Sequence, residues 1–233
     1  MSLQSEESPQ AVLDFDRAAR TGLTEAVFCI NKTPAQIVGI LERFQQREVP
    51  CLLTRLTPEK HSQLSAEWRE QLDFDPLSHT AFLGNISASP RPYEVAIVSG
   101  GTSDASVCAE ASRTLEFYGV NSRLFQDVGV TGLWRLLERV DEIRRFPLVI
   151  AVAGMEGAIF SVLGGLVDAV VIAVPTSVSY GVGSDGELAL HAALGSCAPG
   201  ILSVNIDNGY GAACAAIRVM NKWNGKPSHC PLP

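Results

Sequence analysis

The feature that most constrains the fold of this chain is an alternation of short apolar runs and helical segments that begins after residue 92. Strands that are apolar throughout are typical of a parallel sheet covered on both faces. Because ligands of such sheets bind beyond the carboxyl ends of the strands, functional residues are expected just after each run. The runs lie at 95–98, 122–125, 148–152, 169–174 and 201–204, and the helical segments at 105–118, 132–143, 156–166, 187–195 and 209–222.

The residues before position 90 follow a different pattern, which predicts a small α+β domain ahead of the α/β domain. We place the two domains at 1–90 and 91–233, joined by a Ser/Pro-rich linker at 85–92. In the first domain, Thr33 followed by Pro34 is a typical helix start. The predicted elements are a helix at 34–46, a strand at 50–56, and a second helix at 57–72 with Thr57 as its cap.

Composition and charge exclude several classes of function. Of the 233 residues, 46% are hydrophobic and 18% are charged, and the formal net charge is -7. A chain this acidic lacks the basic surface of proteins that bind nucleic acids or anionic membranes. The most apolar region, 146–175, is interrupted by Glu156 and Asp168, so no membrane span is expected. The six cysteines form no CxxC pair, which indicates reduced thiols, no zinc site and a cytoplasmic location, or an organelle if a transit peptide was removed.

The first apolar run of the second domain leads into two adjacent glycines and several small hydroxyl side chains. Two glycines allow a ligand to approach the backbone closely, and N–H groups at a helix N-terminus bind phosphate. The segment matches neither the GxGxxG nor the Walker A pattern, so a tight turn in which Ser103 or Asp104 caps the next helix is an equal alternative. The candidate residues are Ser99, Gly100, Gly101, Thr102, Ser103 and Asp104.

The other runs also end in polar or glycine-rich residues. For Asp127 the alternative to a ligand contact is a helix cap. Glu156 lies between glycines, where a helix N-terminus would stabilise its charge. The candidate residues are Asp127 after the second run, Gly154, Met155 and Glu156 after the third, Thr176 and Tyr180 after the fourth, and Asn208 and Gly209 after the fifth.

Positive charge is missing from much of the second domain, since no lysine or arginine occurs between Arg145 and Arg218. An anionic ligand in this half of the domain must be held by backbone N–H groups, helix dipoles and hydroxyl groups. Glycine-rich strand ends that meet at one edge of the sheet provide those groups. We interpret them as a site for a small phosphorylated ligand.

Cys214 lies about one turn into the last predicted helix. A nearby helix N-terminus lowers the pKa of a thiol and makes it nucleophilic, whereas a cysteine among small residues is also typical of a buried packing position. From the residues alone, the packing interpretation is favoured. The four histidines are not clustered and no HExxH or GxSxG motif occurs, so zinc hydrolase and serine hydrolase functions are excluded.

Several long segments resemble the LarB family, the pyridinium-3,5-biscarboxylic acid mononucleotide synthases of nickel-pincer cofactor biosynthesis. They are LDFDRAARTGLTEAVFCINKTPAQI and LLTRLTPE in the first domain, and VSGGTSDASVCAEA, FQDVGVTGL, VAGMEGAIFSVLGGLVD, VPTSVSYG and VNIDNGYGAACAA in the second. The resemblance extends over roughly residues 13–221. The second domain is also similar to PurE, the carboxyaminoimidazole ribonucleotide mutase. That similarity implies a three-layer α/β/α, flavodoxin-like parallel sheet and a homo-oligomer, an octamer as in PurE.

The resemblance implies a reaction on nicotinic acid adenine dinucleotide. LarB-type enzymes carboxylate C5 of the pyridinium ring, with CO2 or bicarbonate as co-substrate, and hydrolyse the phosphoanhydride to release AMP. Cys214 matches the cysteine whose thiolate adds to C4 of the ring, and this match reverses the packing interpretation. Asp104 and Glu156 are implied to transfer protons and to stabilise the ring. No tightly bound cofactor is implied, and Mg²⁺ is expected with the dinucleotide.

The remaining candidates are implied to bind the substrate. Residues 99–103 would hold a phosphate, Asp127 would contact a ribose hydroxyl, and residues 176–181 with Asn208 and Gly209 would line the nicotinate end. Two alternatives stay open: a PurE-like aminoimidazole ribonucleotide carboxylase or mutase, and a non-catalytic nucleotide-binding module. Gly129 and Val130 stand where PurE enzymes have an Ala-His stretch, which argues against the first alternative.

Overall fold

The computed structural model describes residues 11–86 and 94–223. These residues form two compact units, and the change from one unit to the other falls between Asn85 and Ile86. Most of the predicted linker and the C-terminal tail with Cys230 lie outside the described residues. Among the residues described, no helix combines the length and the apolar character needed to cross a membrane.

The first unit is built around a four-stranded mixed sheet. Its strand order is β1-β2-β4-β3, in which β1 and β2 are parallel and the other neighbours are antiparallel. In chain order its elements are α1 (Arg17–Thr21), β1 (Val27–Phe28), α2 (Pro34–Gln46), β2 (Cys51–Thr54), α3 (Pro58–Ser62), α4 (Ala66–Gln71), β3 (Leu72–Asp75) and β4 (Thr80–Leu83).

Helix α2 confirms the predicted helix start and end. The Thr33 hydroxyl accepts the N–H of Gln36, and the Gln36 side chain accepts the N–H of Thr33, which forms a capping box. The apolar face of α2 then enters the core of this unit, where it meets the buried residues of β2 and β4. Its fully or nearly fully buried residues are Ile37, Ile40, Leu41 and Phe44.

The predicted second helix at 57–72 was wrong, because two short helices occupy that segment. Thr57 does cap the first of them, as predicted, by accepting the N–H of Lys60. Ser65 then takes an extended conformation and caps α4 through the N–H of Trp68, so the chain restarts a helix instead of continuing one. The hairpin of β3 and β4 that follows was not predicted.

The second unit has five parallel strands in the order β6-β5-β7-β8-β9. Its elements are β5 (Val95–Ser99), α5 (Ala105–Phe117), β6 (Ser122–Phe125), α6 (Leu133–Leu137), α7 (Val140–Ile143), β7 (Leu148–Ala153), α8 (Ala158–Leu166), β8 (Val170–Pro175), α9 (Glu187–Leu194), β9 (Ile201–Ser203) and α10 (Gly209–Trp223). Helices α5 and α10 pack together on one face, and α6, α7, α8 and α9 cover the other. This arrangement confirms the predicted three-layer α/β/α parallel sheet.

All five predicted strands are present, and two helix predictions need correction. The segment 132–143 forms two short helices, because the backbone of Arg139 (φ -109°) departs from helical geometry between α6 and α7. The helix predicted from Glu156 begins only at Ala158. Two residues with positive φ, Met155 and Gly157, turn the chain between the end of β7 and this helix.

Candidate active site

A cleft of about 240 Å³ lies at the carboxyl edge of the parallel sheet. Loops that follow four neighbouring strands, β5, β6, β7 and β8, contribute to its wall. This is the edge at which parallel α/β sheets bind ligands. The lining residues are Gly100, Gly101, Ser103, Asp104, Gly129, Val130, Thr131, Ala153, Gly154, Met155, Glu156, Gly157, Ala158, Ile159 and Val178.

Asp104 is the buried carboxylate of this cleft, with only 3% of its surface exposed. Its Oδ2 accepts the N–H of Gly101 at 2.9 Å, and its Oδ1 accepts the hydroxyl of Thr176 at 2.8 Å. Thr176 is itself fully buried, and its N–H donates to the carbonyl of Ala153. Asp104 therefore joins the ends of β5, β7 and β8 through a single carboxylate.

The surroundings of Asp104 also change its affinity for a proton. Burial raises the pKa of this carboxyl above its usual value of 3.8, and the charge of Asp207 acts in the same direction. The hydrogen bonds from Gly101 and Thr176 oppose the shift because they stabilise the ionised form. A carboxyl with these properties in a cleft is suited to proton transfer.

The loop after β5 is shaped for close approach of a ligand to the backbone. Gly129 packs so tightly on this loop that a Cβ at Gly129 would lie 2.6 Å from the carbonyl oxygen of Gly100. Ser103 is exposed and lines the cleft, and Thr102 is exposed beside it. Ser99, in contrast, is fully buried, and its hydroxyl bonds to the carbonyl of Gly101. Ser99 therefore supports the loop from within.

The loop after β7 places the second predicted carboxylate at the cleft. Glu156 is exposed and lies in the turn that precedes α8, where the N–H of Gly157 donates to the carbonyl of Gly154. A Cβ at Gly154 would lie 2.2 Å from the carbonyl oxygen of Val178, so this glycine is required for contact with the loop after β8. Met155, with 38% exposure, completes this wall.

Asp127 follows β6 and is held by an arginine that the sequence did not indicate. Arg135 Nη1 lies 2.5 Å from Asp127 Oδ2, and the Asp127 N–H faces the Ser99 hydroxyl at 3.4 Å. Gly132 makes room for this arginine, because a Cβ there would lie 2.8 Å from Arg135 Nε. The ion pair therefore brings a guanidinium beside the segment Gly129–Thr131 that lines the cleft.

The loops after β8 and β9 place their predicted residues outside the cleft lining. Tyr180 is 77% exposed. The side-chain oxygen of Asn208 accepts the N–H of Gly211 at 2.7 Å and so caps α10. Gly209 packs against α5, where a Cβ would lie 2.4 Å from the carbonyl oxygen of Val107. Asn208 and Gly209 thus fix the start of a helix.

Cys214 is half-buried on α10 and is not among the cleft-lining residues. Burial raises the pKa of its thiol to about 11, and the charge of Glu110 adds to this effect, while a hydrogen bond with Tyr210 and the charge of Arg218 oppose it. Of the two interpretations of Cys214 drawn from the residues, this direction agrees with a buried packing thiol, the favoured one, and not with a thiol whose pKa a helix N-terminus lowers. Cys214 is the sixth residue of α10, and the field of a helix terminus fades beyond the first turn.

The structure thus brings together seven of the predicted residues around one cleft: Gly100, Gly101, Ser103, Asp104, Gly154, Met155 and Glu156. Thr176 contributes indirectly through Asp104. Sequence reasoning missed Arg135 and Glu110, whose sequence signals are those of ordinary helical residues. Across the described part of the chain, no three His, Cys, Asp or Glu side chains are grouped as a metal site requires.

Comparisons with known proteins agree with this architecture. Residues 94–226 match the family model of AIR carboxylase, and residues 5–85 match that of the LarB/PurE-like N-terminal domain. The uncharacterized protein MJ0165 of Methanocaldococcus jannaschii is 35% identical over 220 residues, which are 90% of this chain and 85% of that protein. The crystal structure of a PurE2 variant from Treponema denticola covers 58% of this chain and 93% of its own, with 15% identity and a TM-score of 0.43.

The second unit is therefore a carboxylase-type α/β domain of the AIR carboxylase class. With a LarB/PurE-like N-terminal domain ahead of it, the chain belongs to the LarB family.

Proposed function

We propose that this protein carboxylates C5 of the pyridinium ring of nicotinic acid adenine dinucleotide and cleaves the phosphoanhydride to release AMP. One observation carries the proposal: the buried carboxylate of Asp104 lies in a glycine-lined cleft at the carboxyl edge of the parallel sheet. Membership of the LarB family supports the substrate class. The glycine-rich wall of the cleft, where a ligand can approach backbone N–H groups closely, supports a phosphorylated ligand.

A phosphate of the substrate binds at the start of α5. The side chain of its N-cap residue, Asp104, does not cap this helix, and Gly101, Ser103 and Asp104 at its start line the cleft. The exposed hydroxyls of Thr102 and Ser103 add two further donors. The guanidinium of Arg135 lies behind Asp127 and Thr131, where it offsets part of the diphosphate charge.

The size of the cleft supports binding of part of the dinucleotide within a single chain. Ligand sites usually measure about 300–1,000 Å³, whereas this cleft measures about 240 Å³. In our proposal the phosphate end of the nicotinate mononucleotide occupies the cleft. The ring, which must reach Cys214 on α10 outside the cleft lining, and the adenylate extend past its rim. A neighbouring subunit of a homo-oligomer covers the rim, which is consistent with the exposed apolar side chains of Met155, Val178 and Tyr180 there.

The chemistry we propose is covalent catalysis by Cys214. The thiolate adds to C4 with its own electron pair and converts the cationic ring into a neutral dihydropyridine, in which C5 is nucleophilic. C5 attacks the carbon of CO2, and a base then removes the proton from C5, which restores the C5–C6 double bond. The electron pair of the ring nitrogen expels the thiolate, and the aromatic pyridinium forms again.

Two carboxylates at the cleft supply the proton transfers. Asp104, whose pKa burial raises, is suited to accept the proton from C5. Glu156 is exposed at the opposite loop and stabilises the cationic ring. Because burial raises the pKa of Cys214 to about 11, its thiol is protonated before the substrate binds, and the positive ring favours the thiolate.

Hydrolysis of the phosphoanhydride requires water and charge neutralisation. Residues 146–217 hold no lysine or arginine, so Mg²⁺ bound to the diphosphate of the substrate would supply positive charge that this part of the chain lacks. Water adds to the phosphorus atom of the nicotinate mononucleotide, and the bridging oxygen leaves with AMP. The mononucleotide keeps its phosphate in the loop after β5.

Incubation with nicotinic acid adenine dinucleotide and bicarbonate tests this function. We expect the wild-type protein to release AMP and a biscarboxylated mononucleotide, and intact-protein mass spectrometry to detect a covalent adduct. Cys214→Ala should abolish the adduct and the carboxylation while leaving the fold intact. Cys197→Ser is the matched control, because Cys197 is an exposed thiol in the same unit. Normal turnover of Cys214→Ala would contradict the covalent mechanism.

The same assay separates the two alternatives. None of the residues that line the cleft is a histidine, and Gly129 and Val130 occupy the wall after β6. This observation weighs against aminoimidazole ribonucleotide chemistry, and turnover of that nucleotide would reverse the conclusion. Thermal stabilisation by the dinucleotide without any product, equal in wild type and Cys214→Ala, would identify a non-catalytic binding module.

A further inference from the structure

A buried glutamate joins the two helices that pack on one face of the second unit. Glu110 on α5 is only 3% exposed, and its Oε2 accepts the N–H of Tyr210 at 3.1 Å. Tyr210 is the second residue of α10, so this hydrogen bond satisfies one of the N–H groups that lack a partner within the helix. A carboxylate at this position is also stabilised by the dipole of α10.

At this junction the first residue of α10, Gly209, packs closely against α5. A Cβ at Gly209 would lie 2.4 Å from the carbonyl oxygen of Val107, 3.0 Å from the N of Ala111 and 3.1 Å from Glu110 Oε2. Backbone therefore meets backbone at the first residue of α10. Glu110 and Gly209 together fix where this helix begins relative to α5.

The two helices carry two of the groups to which our proposed function gives chemical tasks. Asp104 directly precedes α5, and Cys214 lies on α10 four residues after Tyr210, about one helical turn. On α10, the Tyr210 N–H that donates this hydrogen bond therefore lies one helical turn before the thiol. On α5, the Glu110 carboxylate that accepts it lies less than two helical turns after Asp104.

The charged and titratable groups that act on Cys214 come from both helices. On α10 itself, Tyr210 donates a hydrogen bond to the sulfur, and Arg218 contributes a positive charge. On α5, Glu110 contributes a negative charge. Strands β7 and β8, which also pack against α10, consist of apolar residues and add no charge.

We propose that Glu110 is a positioning residue for Cys214: its carboxylate accepts the N–H of Tyr210 and holds the start of α10, and with it the thiol one turn further on, against α5. Its negative charge also acts with burial to raise the pKa of this thiol. The inference rests on the proposed function only in giving Cys214 a chemical task. The restraint protects an otherwise reactive thiol from unwanted alkylation and oxidation.

Alkylation of the full-length protein by iodoacetamide over a range of pH, with each cysteine followed by peptide mass spectrometry, tests the inference. Glu110→Gln keeps an oxygen that can accept the Tyr210 N–H and removes the charge. We expect Cys214 to be alkylated about threefold faster at about pH 8 in this variant, since the Glu110 charge is a lesser cause of the raised pKa than burial and a downward shift of about half a pH unit raises the thiolate fraction about threefold. Cys197 is the internal reference, and its rate should not change.

Glu116→Gln is the matched control, because Glu116 lies on the same helix with a side chain that is 57% exposed. An unchanged pH profile of Cys214 in folded Glu110→Gln, or an equal shift in Glu116→Gln, would overturn the inference. If Glu110→Gln does not fold, Glu110→Asp decides, because it keeps the charge and withdraws the acceptor from the Tyr210 N–H: an alkylation profile of Cys214 identical to that of wild type overturns the inference. No substrate is present, so the outcome is independent of the reaction proposed above.

Discussion

The two units start their helices in different ways. In the first unit, α2, α3 and α4 each begin with a hydroxyl residue, Thr33, Thr57 or Ser65, that accepts an N–H of the first turn. In the second unit, α6, α8 and α9 begin after glycines, without a side-chain cap from the N-cap residue, and α5 also lacks one. A capped helix satisfies its own N–H groups, whereas an uncapped one leaves them to water or to a ligand.

Helix α10 is the exception within the second unit, and it clarifies the comparison. Asn208 and Glu110 accept two of its first N–H groups. Of the helix starts without a side-chain cap, those of α5 and α8 contribute residues to the cleft, whereas those of α6 and α9 do not. The second unit therefore combines open helix starts around the cleft with one closed helix start beside it.

The largest effect is expected from Asp104→Asn, which keeps the shape of the open α5 start and removes its carboxylate. The amide can accept the Gly101 N–H and donate to the Thr176 hydroxyl, so the contacts between strand ends are retained. Turnover should fall by about 10²–10⁴ if Asp104 transfers the proton from C5. A steady-state assay of AMP and carboxylated product measures the loss, and full activity would exclude that role.

The same substitution has a pH signature in stability. Because the folded state raises the pKa of Asp104 above 3.8, the folded protein binds this proton more tightly than the unfolded chain does. At neutral pH the ionised carboxyl therefore lowers the free energy of unfolding. This destabilisation disappears as the pH falls below 3.8. Asp104→Asn should melt at a higher temperature than wild type near neutral pH, with a difference that narrows in acid. A difference in melting temperature that grows as the pH falls would contradict a raised pKa of Asp104.

A smaller effect is expected from adding one methyl group to a glycine of the open edge. The Cβ of Gly154→Ala would lie 2.2 Å from the Val178 carbonyl oxygen and 2.9 Å from Thr176 Oγ1, so the loop after β8 must shift. Overpacking of this kind costs about 1–3 kcal/mol. The matched control is Gly39→Ala in α2, where no atom lies within 4 Å, and a helical alanine is favoured there by about 1 kcal/mol. Urea denaturation should show a lower unfolding free energy for Gly154→Ala and a higher one for Gly39→Ala. Changes of the same sign in both variants would contradict the close contact between Gly154 and the loop after β8.

The smallest effect is expected at a capped helix of the first unit. Thr33→Ala removes the acceptor for the Gln36 N–H and should cost about 1 kcal/mol of unfolding free energy. Turnover by the second unit should not change. Thr102→Ala at the open edge should show the reverse pattern, with stability altered by less than about 0.5 kcal/mol and weaker affinity for the dinucleotide. Equal stability losses in both variants would remove the distinction between the two kinds of helix start.

Local patterns made most of the second unit predictable from sequence. The strands β5, β7 and β8 are short apolar runs, and this signal comes from residues that are neighbours in the chain. The capped start of α2 was predictable for the same reason, since Thr33, Pro34 and Gln36 are adjacent in sequence. The hairpin of β3 and β4 was missed although Leu72 to Asp75 alternates apolar and acidic residues, because the segment 57–72 was assigned to one helix.

The candidate site depends on contacts that local patterns do not contain. Thr176 and Asp104 are 72 positions apart and meet only once β5, β7 and β8 are aligned. Glu110 and Tyr210 are 100 positions apart, and nothing in the residues next to either of them indicates its partner. The pKa of Cys214 likewise depends on burial and on Glu110, so its direction does not follow from the position of this cysteine near a helix start.

The order of strands in the parallel sheet has a consequence for how the chain is made. When β6 emerges during synthesis, its partner β5 is already complete, and β7, β8 and β9 each pair with a strand that precedes them in the chain. The sheet can therefore grow outward from β5 while the ribosome is still at work, without waiting for a distant C-terminal partner. Helix α10, which carries Cys214, is the final described element, so the proposed nucleophile is the last candidate group to take its place.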